Sequence, residues 1–242
     1  KKAGEWAKNK FTEWGLTNAA VEPCGEFGPG WANDYISVHM LEPAYSPLLT
    51  YAKPWSLGTA GKIKGQPLLA VIRTKADLEK WKGKLKGAIV LTDPPRQVHP
   101  SFKPYARRYT DEDLKKITET PIPIQPKDGG GEKSEVKWEE LEEFYKNEGV
   151  GLLIDSSEGS RSDFGTVKVD AYEGEGKNHL IPGQSPRIVL PAEAYARICR
   201  IMDLKVPVTL EAEVRNTIYD QDKMGYNVVA EIPGFDKKGE VV

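Results

Sequence analysis

Gly87-Ala88-Ile89-Val90-Leu91 is a short apolar run closed by Asp93, Pro94 and Pro95, and its neighbours on both sides decide the fold. Upstream, the apolar run 68–72 gives way to helix-spaced residues 76–81 before strand texture resumes at 88–91. Buried strand, helix, buried strand is the rhythm of an α/β protein. Downstream, residues 94–126 form a proline-punctuated excursion in which only 111–117 has helical texture, with Thr110 as N-cap and Asp113 closing a capping box. Asp128-Gly129-Gly130-Gly131 gives a flexible connection. Ser134 is then expected to cap a helix with Val136, Trp138, Leu141, Phe144 and Tyr145 on one side and Gly149 at its end. Residues 150–154 make another buried strand. The pair 188–190 and 192–202 repeats the strand-to-helix step, with Pro191 suited to a first helical turn.

The two ends differ in texture. Ala3, Ala7, Phe11 and Trp14 recur at three- and four-residue steps, which predicts an amphipathic helix; Trp6 widens its stripe and Gly15 stands where a C-terminal cap belongs. Between 16 and 61, Gly, Pro and aromatic residues dominate. Only 35–41 alternates as a strand, and Pro43, Pro47 and Pro54 interrupt regular structure beyond it. Near the other end Val208, Leu210, Ala212 and Val214 alternate as a half-buried strand, with 226–232 expected as its partner across a polar turn.

With 242 residues, 39% hydrophobic and 29% charged, the chain can bury one large core or two modest ones. Lys and Arg number 34 against 36 Asp and Glu, well interspersed, so no basic face is presented to nucleic acid. No apolar run approaches the roughly 20 residues of a membrane-spanning helix. The chain starts at Lys1 with no apolar signal region, so any targeting peptide is expected to have been removed or left out. Cys24 and Cys199 are too few for a disulfide scaffold, lack the spacing of a structural zinc site, and are expected to stay unlinked.

Residue chemistry gives no active site. His39, His99 and His179 stand apart, one in an alternating strand and two in Pro- or Gly-rich loops, without the close His and Asp pairing that would seat a metal. Glu139, Glu140, Glu142 and Glu143 are expected on the solvated face of their helix. Gly174-Glu175-Gly176-Lys177 lacks the spacing of a phosphate loop. Ser185 lacks the second glycine of a nucleophile elbow and precedes Pro186. No catalytic, cofactor-binding or metal-binding residue is assigned.

Longer strings carry a resemblance. Tyr226-Asn227-Val228-Val229-Ala230-Glu231-Ile232-Pro233-Gly234 resembles the strand that introduces the catalytic core of the zinc aminopeptidase and glutamate-carboxypeptidase-like metallopeptidases. Glu240-Val241-Val242 resembles the start of that family's next strand, which leads into a His-x-Asp element with metal ligands. Gly87-Ala88-Ile89-Val90-Leu91, Val150-Gly151-Leu152-Leu153-Ile154-Asp155 and Ile188-Val189-Leu190-Pro191 resemble strands of a protease-associated domain. Residues 1–16 and 31–43 resemble the family's first helix and the strand leading toward the inserted domain.

The resemblance implies a mixed α/β chain in three segments: residues 1–61 as the first part of a peptidase core, 62–205 as an inserted protease-associated domain (an open β-barrel or sandwich with flanking helices), and 206–242 as return strands cut off before the metal ligands. It implies a parent exopeptidase, of aminopeptidase or carboxypeptidase type, secreted or periplasmic, in which two zinc ions about 3.5 to 4 Å apart activate a water against peptide substrates. The inserted domain would act as lid and substrate-access element. No zinc is expected on this chain itself. The alternative is a non-catalytic protein-interaction module of protease-associated type with no metal site.

Overall fold

The computed structural model describes residues 1–96, 104, 106–120, 134–157 and 184–236. Along the chain run helix α1 (Lys2–Glu13), strands β1 (Thr17–Glu26), β2 (Gly30–Glu42), β3 (Ser46–Pro47), β4 (Tyr51–Ala52), β5 (Ile63–Gly65) and β6 (Pro67–Leu69), and helix α2 (Lys75–Trp81). Strand β7 (Ile89–Leu91), helices α3 (Asp111–Glu119) and α4 (Trp138–Glu148), strands β8 (Leu152–Ser156) and β9 (Arg187–Leu190), helix α5 (Ala192–Asp203), and strands β10 (Thr209–Tyr219) and β11 (Met224–Glu231) follow. Among the described residues these five helices and three sheets make a mixed α/β chain. It divides into two compact units, Lys1–Ala32 with Ile218–Val242, and Asn33–Thr217. The second unit holds all of 62–205 together with 33–61 and 206–217.

In the first unit β1 and β11 pair antiparallel, Ala20 opposite Val229 and Val21 opposite Val228. Helix α1 lies against both strands: a Cβ on Gly4 would sit 3.6 Å from side-chain carbons of Val21 and Val228. Pro23 is tolerated because β1 is an edge strand of a two-stranded sheet. Strand β11 therefore does not pair with β10, contrary to the sequence expectation. Leu210, Ala212 and Val214 of β10 are buried in the second unit beside β5 and β2, whereas no residue of β11 is buried. Alternation tells which side chains of a strand face inward, and says nothing of the strand it joins.

The second unit carries two sheets. One has the order β3-β2-β10-β5; the other has the order β4-β9-β8-β7-β6, with β6, β7, β8 and β9 parallel and β4 antiparallel at its edge. Strands β7 and β8 are covered on both faces, as parallel strands generally are. Val90 and Leu153, partners in register, pack into a core with Ala70, Ile72, Leu85 and Tyr145, flanked by Leu78 and Trp81 of α2 and Leu141 and Phe144 of α4. Ile89, Leu91, Leu152 and Ile154 point the other way and are equally inaccessible. Helix α5 packs against β8.

Local chemistry explains the helix ends. Thr74 and Thr110 each cap a helix with a reciprocal bond to the Asp three residues on. Gly149 ends α4 at φ 66°, the left-handed cap that favours glycine. Two residues later Gly151 passes the carbonyl of Gly87 so closely that a Cβ would lie 2.7 Å from its oxygen. Ser134 is not the cap of α4, which begins three residues later than expected, after Lys137. Its hydroxyl donates to the carbonyls of Arg73 and Val136 and so ties this entry segment to the start of α2.

Candidate functional site

Where β7, β8 and β9 run parallel, the α4 side of the sheet carries a buried cluster of charge. Asp155 is the fourth residue of β8, and the two-residue pleat puts it on the same face as Leu153. Thr92, just past β7, donates from Oγ1 to Asp155 Oδ1 at 2.6 Å. Lys53, just past β4, brings Nζ to 3.3 Å from Asp155 Oδ2, and the Arg187 guanidinium of β9 lies 3.9 Å from the same oxygen. Burial alone would raise the Asp155 pKa; Arg187, Lys53 and the Thr92 hydrogen bond outweigh it and hold the carboxyl below its ordinary value.

Arg187 also faces Glu142 of α4, 3.6 Å from Nη2 to Oε2, and its guanidinium carbon lies 6.0 Å from the centre of the Tyr145 ring. The backbone N–H of Ser185 donates to the other oxygen of Glu142. Glu142 is 4% exposed, which corrects the expectation of a solvated face. It stands four residues after Trp138 and three before Tyr145, so helical spacing turns it inward with them. Its Oε1 accepts the Ser185 N–H, while the buried Oε2 makes no hydrogen bond among the described residues and is met only by the charge of Arg187 at 3.6 Å. Glu139 and Glu143 are exposed.

Asp93 lies beyond β7. Its Oδ2 accepts the Ser156 N–H at 2.8 Å, its own N–H donates to the Tyr195 hydroxyl at 2.9 Å, and that hydroxyl donates back to the Asp93 carbonyl at 2.7 Å. Desolvation first, and the Asp155 charge second, raise the Asp93 pKa. Burial likewise lifts the phenols of Tyr145 and Tyr195 above their ordinary range.

These groups are arranged for structure more than for turnover. Asp155 is a weak base because its lone pairs are engaged by two cations and a hydroxyl. Among the described residues no three His, Cys, Asp or Glu side chains come together to hold a metal ion. The carboxylates that do cluster already serve Lys53 and Arg187, so the described residues do not fit the zinc pair that the sequence resemblance implies.

The described sequence candidates have separate surroundings. Both ring nitrogens of His39 are engaged, Nε2 with the Ser37 hydroxyl at 2.8 Å and Nδ1 with the Tyr45 hydroxyl at 3.1 Å, and the ring stacks on Tyr45. His99, His179 and 174–177 lie outside the described residues. Ser185 is buried beside Glu142. Cys24 and Cys199 are free thiols, one exposed and one buried. Among the described residues no helix is long and apolar enough to cross a membrane. Asp155 and Arg187 are not evident from sequence because the elements that bring them together are remote in the chain; the one local signal is an aspartate closing the apolar run 150–154.

The sequence matches no protein-family model and no curated protein. The fold resembles that of a peptidase M28 precursor from Shewanella amazonensis SB2B, with a TM-score of 0.55 and 16% identity over 98% of this chain and 46% of that one. An aminopeptidase from Aneurinibacillus sp. strain AM-1 aligns at a TM-score of 0.47 and 12% identity over 98% of this chain and 43% of that one. The chain thus spans less than half the length of either structure. At such identities the likeness is one of fold, that of part of an M28 peptidase.

Proposed function

We propose that this chain is the non-catalytic N-terminal and protease-associated portion of a secreted or periplasmic zinc exopeptidase. Residues 62–205 form the protease-associated domain, inserted between 1–61 and 206–242. The observation that carries the reading is the fold likeness to the Shewanella peptidase precursor over 98% of this chain. The Tyr226 to Gly234 string, which resembles the strand opening that family's catalytic core, supports it. So does the first unit, in which Pro29 is the sole buried residue among those described while Ile232 and Phe235 are 82% and 93% exposed. A pair of strands and one helix need more apolar cover than that to be stable alone.

In this role the chain supplies lid and cleft wall. It excludes water and unsuitable substrates from a metal centre built by other residues, and the peptide bond is cleaved there. The buried cluster around Asp155 holds together the parallel strands of the domain that serves as lid. A second reading, a protein-interaction module without a metal site, is favoured by that same cluster, whose acids and bases are already matched to one another. The test is to read the gene beyond the codon for Val242 and to measure zinc content and aminoacyl-peptide hydrolysis of its full product beside the 242-residue chain. Zinc and chelator-sensitive hydrolysis in the longer product alone support the exopeptidase reading. Activity in the 242-residue chain, or none in a full product lacking a His-x-Asp element, overturns it.

A further inference from the structure

In the second unit a cleft of about 390 Å³ opens between α5 and the segment around β3. Met40 of β2 and Ile198 of α5, both inaccessible to solvent, line its base, and Leu48 and Leu49 line one side. Strand β3 is the edge of its sheet, so no further strand of the described residues covers that side, and Leu49 is 55% exposed. The size lies within the roughly 300–1,000 Å³ of small-ligand sites, toward the end suited to one large side chain and its backbone.

Two charged residues of α5 border the cleft, and they differ in their commitments. The carboxylate of Glu193, which is itself part of the cleft lining, is neutralised by Arg200 at 2.8 Å. Arg197 has no carboxylate partner among the described residues. The cleft therefore combines an apolar floor with an uncompensated cation.

From this combination we infer that the cleft is a binding site for a peptide segment in which a large apolar side chain is followed by an acidic one. The apolar side chain fills the space over Met40 and Ile198, and the carboxylate meets Arg197. A peptide suits it better than a free aliphatic acid, because the cleft is open at its rim, where the backbone on either side of one buried side chain can leave it, and no closed tunnel sheathes an alkyl chain. The inference is independent of the exopeptidase reading and stands or falls separately from the zinc and hydrolysis measurements.

The test uses the full 242-residue chain and fluorescein-labelled, terminally blocked peptides followed by anisotropy. Ala-Leu-Asp-Ala is expected to bind saturably, about tenfold tighter than Ala-Ala-Asp-Ala through the lost apolar burial. It should bind about fivefold tighter than Ala-Leu-Lys-Ala, a preference that added salt removes, since an exposed ion pair is worth little more. Arg197→Glu should reverse the order of the aspartate and lysine peptides, and Ala194→Trp, on the cleft lining, should weaken both. Equal affinity of the native chain for the aspartate and lysine peptides, displacement by octanoate as effective as by unlabelled peptide, or failure to saturate at millimolar peptide would each overturn the inference. These comparisons on the native chain decide the matter even if a variant fails to fold.

Discussion

Replacing Asp155 by Asn tests the buried cluster most directly. Asparagine keeps the shape of the side chain and an oxygen for the Thr92 hydroxyl, and removes only the charge that faces Lys53 at 3.3 Å and Arg187 at 3.9 Å. Breaking a buried ion pair from one side costs about 3–5 kcal/mol, because the abandoned charge stays desolvated. Here Arg187 retains Glu142, and Lys53 has 14% of its side chain in solvent, so the expected cost is near the lower end, about 3 kcal/mol. The two units need not unfold together, so a single melting curve is a poor gauge. Hydrogen exchange across a urea series, read on peptides covering β7 to β9, isolates the relevant unit. The Lys53→Met, Asp155→Leu double variant, which removes both charges, should recover more than half of the loss. The sign with pH is fixed. A carboxyl whose folded-state pKa is depressed contributes stability that is fully present above its unfolded pKa of about 3.9 and is lost as pH falls through the lower folded value. The gap between native and Asn chains should hold from neutral pH down to about pH 4 and close only below it. A cost under about 0.5 kcal/mol, that of an exposed pair, would refute the assignment of a desolvated cluster.

Asp93→Asn should act in the opposite sense, because burial and Asp155 raise the native carboxyl's pKa while the Ser156 N–H, Arg96 and Lys53 only partly offset them. The native chain loses stability as pH rises through that raised value, and the Asn chain, which keeps an acceptor for the Ser156 N–H, should show a flatter stability profile above pH 4 in the same exchange assay. Gly151→Ala forces a Cβ to 2.7 Å from the Gly87 carbonyl oxygen and should cost about 2 kcal/mol or more; a neutral effect would mean that the α4 to β8 turn gives way easily. Burial pushes the Cys199 thiol up to about 11, so iodoacetamide at neutral pH should modify the exposed Cys24 and spare Cys199 until the second unit unfolds, as peptide mass mapping would show.

The strand and helix succession from α2 to α5 is legible in the sequence because each element carries its own period and punctuation. Thr110 and Asp113 announce α3, Gly149 announces the end of α4, and the runs around 90, 153 and 189 announce three strands. Strand β1 is not legible: Pro23 and Gly25 interrupt it, and few of its residues are apolar. The expected pairing of β10 with β11 fails for a different reason, since proximity along the chain favours a hairpin and only the separate burial of the two strands decides against it. Glu142 is within reach of the sequence, being four residues from Trp138 on a helix; a dense acidic run conceals one inward position. The meeting of Lys53, Asp155 and Arg187 depends on pairings among β4, β9 and β8 that no local pattern encodes.

The charges around Asp155 also act as a ruler for the sheet. A slip of one residue between β8 and β9 would turn apolar side chains to the wrong face and is forbidden by hydrophobicity alone. A slip of two restores every inward and outward position, so the oily faces cannot detect it. It would displace Arg187 by roughly 6.6 Å along the strand, out of reach of Asp155 and Glu142 together, leaving two acids and a guanidinium stranded in a dry interior. Val189 and Ile188 would accept either alignment; Arg187 accepts one.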